Sequence, residues 1–325
     1  MSPTVRLPDG TPTSPLGIGM ATLMREPSPR RQQRLLEAAY DVGFRYVDTA
    51  PSYGLGAAEG ALGRFLEGRR GDVTVATKFG LEVTVPGPLT RLLQRPARML
   101  LKRFPGLRGA ATQQVGKSLH RAADFSVEAA ERSLAQSLRA LGTDYVDVLH
   151  LHEVRSPDEL GPALLDWLGR QREAGRVRNV GVATTVEGAQ SVVGAFPGQF
   201  DVVQAPNSVL EPSGPALDGL DAPFRITHGV FTPALGRLAE CARGDASWAR
   251  GLSEATGRDV TEPQALPRLL LALALDETPG GIVLVGSSTE ANVQAAAGAV
   301  GAFSDEALAD ARAFVRRTVW RTVVP

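Results

Sequence analysis

The sequence predicts an α/β fold, a (β/α)8 or TIM barrel, because short β-rich segments alternate with longer helical patterns along nearly the whole chain. Eight β-rich segments can be distinguished, which is the number of strands that closes a parallel barrel. The length of 325 residues suits a barrel of about 250 residues with insertions. Length and composition alone would equally allow two smaller domains. From the alternation we expect a single barrel domain spanning residues 1–325.

Each predicted element rests on its local pattern of apolar and polar residues. The strands are predicted near residues 15–20, 44–48, 72–78, 145–151, 177–183, 200–204, 224–229 and 281–286. The helices are predicted near residues 29–42, 57–68, 126–141, 157–174, 186–195, 262–276, 290–300 and 304–318, the last of these packing outside the barrel. Ser126 and Ser156 are expected to cap two helices, because a serine oxygen accepts a hydrogen bond from the first turn. An N-terminal hairpin that turns at Asp9–Gly10 is expected to close the bottom of the barrel.

Two segments interrupt the alternation. Residues 80–124 follow the third predicted strand and carry eight Lys and Arg residues against Glu82 and Asp124, so they form a long basic insertion. In a barrel this insertion belongs to the C-terminal face, where loops shape substrate pockets. A solvated surface excursion, a lid and a surface for a protein partner all remain open for it. Residues 236–261 are predicted to be a loop with a helical turn.

Composition disfavours several classes of function. Lys plus Arg and Asp plus Glu number 35 each, so no overall basic field attracts nucleic acid or an anionic membrane. The one cysteine, Cys241, excludes an internal disulfide framework, and the four histidines show no zinc-type spacing, so no metal site is expected. The N-terminus has no secretory pattern, and no apolar run of about 18 residues occurs. We therefore expect a cytoplasmic protein that binds neither nucleic acid nor membranes.

Four polar residues lie at or just beyond the ends of predicted strands. Asp48 ends the second strand, Lys78 the third and His152 the fourth, and Tyr53 follows in the loop after Asp48. They occur in the strings YVDTAPSYG (46–54), VATKFG (75–80) and YVDVLHLH (145–152). Because the C-terminal ends of parallel barrel strands converge on the barrel mouth, we expect these side chains to meet there.

This combination of residues suits the reduction of a carbonyl group. Hydride delivery to a carbonyl creates an alkoxide that needs a proton, which Tyr53 would donate. Lys78 is predicted to stabilise the phenolate and so to lower the pKa of Tyr53 from its reference value of about 10. Asp48 would hold Lys78 charged and oriented, and His152 would hydrogen-bond the substrate oxygen or relay the proton. Asp48 and Lys78 alone could be a structural ion pair, but Tyr53 and His152 beside them favour catalysis.

Taken together, these strings resemble the aldo-keto reductase family. The Asp, Tyr, Lys and His tetrad of that family matches Asp48, Tyr53, Lys78 and His152, each inside a similar local string. Similar motifs extend over most of the chain: LGIG (16–19), YGLGAAE (53–59), LGTDYVD (141–147), GRVRNVGV (175–182) and VLVGSST (283–289). The resemblance implies the barrel fold of the family and its chemistry on carbonyls or alcohols, with NADPH as cofactor and NADH as the alternative.

The resemblance also implies where a dinucleotide is held. Gln204 matches the glutamine that binds the nicotinamide amide, and Phe231 is similar in place to the aromatic residue that stacks on the nicotinamide ring. Gly286, Ser287 and Ser288 precede a predicted helix, whose exposed N–H groups favour a phosphate.

Three departures from the family pattern weaken the expected grip on NADPH. The family's Ser-Asn pair after the fifth strand is replaced by Ala183–Thr184, for which Thr184 or Thr185 compensates only in part. Thr289 stands where an arginine or lysine often binds the 2′-phosphate, and threonine lacks the paired N–H donors of a guanidinium. The acidic-Asn pair that contacts adenine is missing near residues 294–296. The chain is therefore interpreted as a divergent member with a weakened NADP-binding signature.

The predicted function is NAD(P)H-dependent reduction of an aldehyde or ketone, or oxidation of the corresponding alcohol, with Tyr53 as general acid/base. The weakened cofactor signature leaves two alternatives open. One is a redox-independent lyase, isomerase or cyclase that uses Tyr53 and His152 as acid and base. The other is a non-catalytic barrel that senses a nucleotide or contacts a protein partner through residues 80–124. The substrate is not predicted, because pocket selectivity comes from loops.

Overall fold

The computed structural model describes residues 3–81, 123–220 and 224–319. A two-stranded antiparallel hairpin, β1 (Val5–Arg6) and β2 (Pro12–Thr13), precedes a closed barrel of eight parallel strands in chain order. The barrel strands are β3 (Leu16–Gly19), β4 (Tyr46–Asp48), β5 (Thr74–Phe79), β6 (Val146–His152), β7 (Val177–Ala183), β8 (Val202–Pro206), β9 (Phe224–His228) and β10 (Ile282–Val285). The predicted barrel is confirmed, and each strand lies within two residues of its predicted bounds.

Helices follow the strands along the outside of the barrel. Within the described residues they are α1 (Met20–Leu23), α2 (Pro29–Asp41), α3 (Ala58–Leu66), α4 (Val127–Leu141), α5 (Pro162–Glu173), α6 (Val186–Ala195), α7 (Gly214–Leu217), α8 (Ala234–Gly244), α9 (Ala246–Thr256), α10 (Ala265–Asp276), α11 (Glu290–Ala297) and α12 (Asp305–Val319). Ser126 caps α4 as predicted, because its side chain accepts the N–H of Ala129 at 3.2 Å. Ser156 caps a short 3-10 turn at Pro157–Glu159, which precedes α5.

The alternation of side chains along each strand divides the core in two. On β6, Leu149 and Leu151 pack in the large layer between the barrel and its helices, whereas Val148 points to the barrel interior. The interior cluster consists of Leu7, Tyr46, Ala76, Val148, Val202, Phe224, Ile226, Ile282 and Leu284. Because Tyr46, Val202, Phe224 and Ile282 are the first residues of their strands, this cluster fills the N-terminal end of the barrel. The C-terminal end is left for polar side chains.

The N-terminal hairpin closes the bottom of the barrel, as predicted. Leu7 follows β1 and packs into the interior cluster with 2% of its surface exposed. The turn uses Gly10 in a left-handed conformation (φ 87°), and the Gly10 N–H donates to the Leu7 carbonyl at 2.8 Å. The Asp9 N–H donates to the side-chain oxygen of Asn179 on β7 at 3.2 Å, which ties the hairpin to the barrel.

The prediction that residues 236–261 form a loop with a helical turn is wrong. Residues 236–256 of this segment belong to two helices, α8 and α9, separated only by Asp245, whose carboxylate accepts the N–H groups of Ser247 and Trp248. Trp248 is buried against Phe314 of α12 with ring centroids 5.6 Å apart. Glycines at 236, 244 and 251 lower the local helix propensity, and packing of α8 against α9 and α10 and of α9 against α12 overrides that preference.

Most of the 80–124 insertion lies outside the described residues, so its predicted roles as lid or partner surface stay predictions, as does the single domain over 1–325. In the ranges that are described, no helix combines the length and apolar character needed to cross a membrane.

Close packing between α3 and α4 yields a test of the fold. A Cβ atom on Gly63 would lie 2.3 Å from the backbone oxygen of Ala140, whereas a Cβ on Gly60 of the same helix would meet no atom within 4 Å. We expect Gly63→Ala to lower the free energy of unfolding by about 1–3 kcal/mol through overpacking. Gly60→Ala should raise it by up to about 1 kcal/mol through helix propensity. Urea unfolding of both variants measures the difference, and equal stabilities would contradict this packing.

Candidate active site

The four predicted side chains converge at the C-terminal mouth of the barrel. Asp48 ends β4, Lys78 is the penultimate residue of β5, and His152 ends β6. The strand register places Lys78 of β5 beside His150 of β6, and His152 of β6 beside Ala183 of β7. Lys78 and His152 therefore lie on adjacent strands at the same rim of the barrel. Tyr53 begins a short 3-10 turn (Tyr53–Leu55) after β4. All four line one cavity of about 400 Å³.

A buried ion pair forms the base of this cavity. The Lys78 ammonium donates to Asp48 Oδ1 and, at 3.0 Å, to the carbonyl oxygen of Thr49. The Lys78 and Asp48 side chains are 1% and 4% exposed, and the Gln204 side-chain amide donates to the same Asp48 oxygen at 3.2 Å. Burial is the largest single effect and lowers the pKa of Lys78, but the charges of Asp48 and Tyr53 and their hydrogen bonds with the ammonium together outweigh it, so the net pKa is raised. Lys78 therefore stays charged at neutral pH.

Tyr53 lies between this ion pair and His152. The Lys78 ammonium is 4.9 Å from the centroid of the Tyr53 ring, and the rings of Tyr53 and His152 meet edge to face with centroids 5.9 Å apart. The predicted net lowering of the Tyr53 pKa is wrong. Burial raises the pKa of Tyr53 above its usual value, and Lys78 opposes this only in part. Lys78 acts on the phenol in the predicted direction, but burial is the larger effect.

The loop that carries Tyr53 depends on its glycines. Gly54, Leu55 and Gly56 all adopt left-handed backbone conformations, with φ of 59°, 57° and 84°. A Cβ on Gly54 would also lie 2.7 Å from the end of the Met24 side chain. The chain therefore turns sharply from Tyr53 into α3, which keeps the phenol at the barrel mouth.

A buried carboxyl group supports the lysine strand from below. Glu59, on α3, accepts a hydrogen bond from the hydroxyl of Thr77 at 2.6 Å, one residue before Lys78. Burial raises the pKa of Glu59, and the hydrogen bond from Thr77 opposes this in part. Sequence reasoning does not predict this contact of Glu59 with Thr77, because the two residues lie on different elements.

Two residues that line the cavity each carry a buried side-chain oxygen with no hydrogen-bond partner among the described residues. These oxygens are Oε1 of Gln204 and the hydroxyl of Thr184. The residues lie on adjacent strand ends, where the Thr184 N–H donates to the Gln204 carbonyl at 3.1 Å. A buried polar atom without a partner is costly, so these two atoms suit a ligand with both a donor and an acceptor, such as a carboxamide. Thr185 is not available for this, because its hydroxyl caps α6.

The other residues predicted to bind a cofactor lie around a neighbouring cavity. Gly286 lines the tetrad cavity and also a second cavity, which Phe231 and Ser287 line with it. Phe231 is not among the residues that line the tetrad cavity. The Ser287 hydroxyl is engaged within the loop, because it accepts the Thr289 N–H at 3.1 Å and donates to the Thr289 carbonyl. Ser288 is exposed beside it.

Two more titratable residues line the tetrad cavity: His228, which sequence reasoning missed, and Glu153, which was interpreted from the sequence as a structural or pocket-edge charge. His228 ends β9 and lines the cavity, and burial lowers its pKa, so its imidazole is neutral at pH 7. Glu153 directly follows His152 with a left-handed backbone (φ 62°), and such strain often accompanies functional sites. The strand-end rule that identified Asp48 and His152 applies equally to His228. No group of three or more His, Cys, Asp or Glu side chains that could hold a metal occurs in the part of the chain described.

Fold and site together define a parallel (β/α)8 barrel with a lysine–carboxylate pair, a tyrosine and a histidine around a cavity at its C-terminal mouth. The profile of the Aldo/keto reductase family matches residues 15–215, and the chain belongs to this family. A curated relative, D-threo-aldose 1-dehydrogenase from Pseudomonas sp, is 37% identical over 182 residues, which cover 54% of this chain and 51% of the relative. The match spans about half the length of this relative and less than half of two others, pyridoxal 4-dehydrogenase from Microbacterium luteolum and an aldo-keto reductase from Schizosaccharomyces pombe.

Solved structures with low sequence identity share the fold. The glycerol dehydrogenase of Gluconobacter oxydans superposes with a TM-score of 0.69 at 19% identity, covering 97% of this chain and 96% of its own. An aldo-keto reductase from Klebsiella pneumoniae in complex with NADPH gives a TM-score of 0.65 at 20% identity, with coverage of 98% and 95%. At these identities the likeness concerns the barrel alone.

The buried ion pair predicts a strong and asymmetric effect of mutation. Asp48→Asn leaves the Lys78 charge buried without its counter-ion, so we expect the free energy of unfolding to fall by about 3–5 kcal/mol at pH 7. Asp48→Asn/Lys78→Met removes both charges and should be more stable than Asp48→Asn alone. Urea unfolding of the two variants measures both effects. A loss below about 0.5 kcal/mol in Asp48→Asn would mean that Lys78 does not need this partner.

Proposed function

We propose that this protein is an NAD(P)H-dependent oxidoreductase that reduces an aldehyde or ketone, or oxidises the corresponding alcohol. The observation that carries the proposal is the cavity at the barrel mouth, where Tyr53 lies between a charged, buried Lys78 and His152. During hydride transfer the carbonyl oxygen of the substrate gains negative charge. A proton donor and a fixed positive charge beside the cavity would stabilise that oxygen.

Residues of the cavity wall suit a nicotinamide. Its carboxamide has one acceptor and one donor group, which match the unpartnered atoms of Thr184 and Gln204. Gly286 keeps the adjoining wall open, because a Cβ there would lie 2.7 Å from the Thr22 hydroxyl. When bound, the nicotinamide supplies or accepts the hydride. In this assignment Thr184 takes over part of the role lost with the family's Ser-Asn pair.

The proton would be handled by the chain itself. Tyr53 retains its proton at neutral pH because burial raises its pKa, and it would donate that proton to the substrate oxygen during reduction. The Lys78 charge, held by Asp48, would stabilise the phenolate that remains. His152 would hydrogen-bond the same oxygen and orient the carbonyl. In alcohol oxidation the phenolate of Tyr53 would act as the base.

Names of the related proteins support this proposal and suggest the first substrates. D-threo-aldose 1-dehydrogenase is an aldose dehydrogenase by name, so hydroxylated aldehydes and their cyclic forms are the first compounds to test. The NADPH complex of the Klebsiella pneumoniae structure supports a dinucleotide as cofactor. A cytoplasmic location, and a lid or partner surface in residues 80–124, belong to the same proposal.

Tyr53→Phe tests the proposed chemistry. The substitution removes the proton donor and keeps the ring, so we expect kcat for aldehyde reduction to fall by about 100-fold to 10,000-fold. NADPH binding, followed by quenching of intrinsic fluorescence, should stay within about threefold of wild type. A Tyr53→Phe variant that retains full activity would remove the phenol from the mechanism.

Titration of the wild type separates the alternatives. A dinucleotide at 100 times its Kd adds about 2.7 kcal/mol to the free energy of unfolding, which a thermal shift detects. If neither NADPH nor NADH shifts the unfolding temperature, a redox-independent acid/base enzyme or a scaffold accounts better for the tetrad.

A further inference from the structure

A second cavity continues from the tetrad cavity towards α10 and α11. Its volume is about 230 Å³, and Gly286 lines both cavities, so a long ligand at the barrel mouth can extend across Gly286 into this space. Its polar wall consists of Gln264, Arg268, Ser287 and Asn292. Gln264 has a left-handed backbone (φ 67°) and donates to the side-chain oxygen of Asn292 at 3.4 Å, so it joins the two helices.

Arg268 is the cation of this cavity wall. It projects from α10 and is partly buried, and its Nε atom is fully buried with no hydrogen-bond partner among the described residues. Asp259 and Glu262 line a space on its other side, yet no ion pair joins them to Arg268 within the described ranges. Nearby arginines differ in this respect: Arg258 donates to the Ala302 carbonyl at 2.7 Å, and Arg312 pairs with acidic residues at the end of α10.

An unpaired guanidinium beside a cavity favours an anionic ligand. Partial burial weakens the hydration of the guanidinium. A phosphate replaces the lost hydrogen bonds with water, because it can accept two parallel N–H bonds from the guanidinium. Asn292 lines the same cavity, and the nitrogen of its side-chain amide is a further hydrogen-bond donor. NADH carries a neutral ribose 2′-hydroxyl in place of a phosphate, and that hydroxyl would leave the charge of Arg268 without a counter-ion.

We propose that Arg268 binds the 2′-phosphate of NADPH and sets the preference for NADPH over NADH. This inference rests on the proposed dinucleotide function, since the nicotinamide end would occupy the tetrad cavity. The cation comes from α10, the helix before β10, and replaces the basic residue expected at Thr289. Thr289 itself serves as the N-cap of α11. The residue that determines cofactor preference therefore lies 21 positions before Thr289, where the family motif places the basic residue.

Binding measured by calorimetry at fixed ionic strength tests the proposal without relying on activity. The proteins are the wild type, Arg268→Met, Arg268→Lys and, as a control, Arg34→Met. Arg34 pairs with Glu290 at the start of α11 at 3.4 Å and is 58% exposed, so its loss removes the same charge beside the same helix. The ligands are NADPH, NADH, adenosine 2′,5′-bisphosphate and adenosine 5′-monophosphate.

We expect Arg268→Met to raise the Kd for NADPH and for the bisphosphate by about 10-fold to 100-fold. The Kd values for NADH and the monophosphate should change by less than about threefold, Arg268→Lys should lie between, and Arg34→Met should leave all four nearly unchanged. Equal losses for all four ligands in Arg268→Met would overturn the proposal, because Arg268 would then act on the adenosine or on folding. No change for any ligand would overturn it as well.

The ligand set separates this inference from the proposed function. If the bisphosphate binds in an Arg268-dependent way but no carbonyl is reduced, the phosphate subsite stands and the oxidoreductase function fails. If reduction proceeds and Arg268→Met weakens NADPH and NADH equally, the function stands and the subsite fails. A wild type that binds none of the four ligands contradicts both.

Discussion

The buried ion pair between Lys78 and Asp48 is the interaction on which the site depends. An ammonium with 1% exposure keeps its charge because Asp48, itself 4% exposed, lies against it, with Tyr53 adding a smaller effect, and because Thr49 and Gln204 complete the hydrogen bonds of the pair. Such pairs add little to stability in general, since desolvation offsets the attraction. In this site the pair fixes the position of a positive charge. The Lys78 ammonium lies 4.9 Å from the centroid of the Tyr53 ring and opposes the rise in the pKa of Tyr53 that burial causes.

The barrel supplies this arrangement through register and close packing. Neighbouring strands bring Asp48, Lys78 and His152 to the same rim, and small residues make room for them. A Cβ on Gly181 would lie 2.6 Å from Nδ1 of His150, so this glycine gives space to the imidazole directly beside Lys78 in the register. Left-handed backbone occurs where the cavity needs it, at Gly54–Gly56 and at Glu153, whereas the N-terminal end of the barrel is ordinary apolar packing.

Sequence reasoning predicted what depends on local pattern. β-rich runs located every barrel strand, and strand ends located Asp48, Lys78 and His152, because parallel topology fixes where strand ends meet. Features that depend on distant contacts were missed. Helices α8 and α9 contain glycines that local propensity disfavours, and packing against neighbouring helices, such as Trp248 of α9 against Phe314 of α12, stabilises them. His228, Glu59 and Arg268 acquire their surroundings from elements far along the chain. The balance between burial and the Lys78 charge at Tyr53 requires three-dimensional burial, so its sign could not be obtained from residue types.

The central claim is that the Lys78 charge acts on the Tyr53 phenol against the effect of burial. Tyrosinate absorbance during a pH titration measures this most directly, with the Tyr53 signal isolated by subtracting the Tyr53→Phe variant in each background. The account predicts that the pKa of Tyr53 lies above about 10 in the wild type and rises further in Lys78→Met, where Asp48 and burial act unopposed. A pKa in Lys78→Met that is equal to or lower than the wild-type value would contradict it.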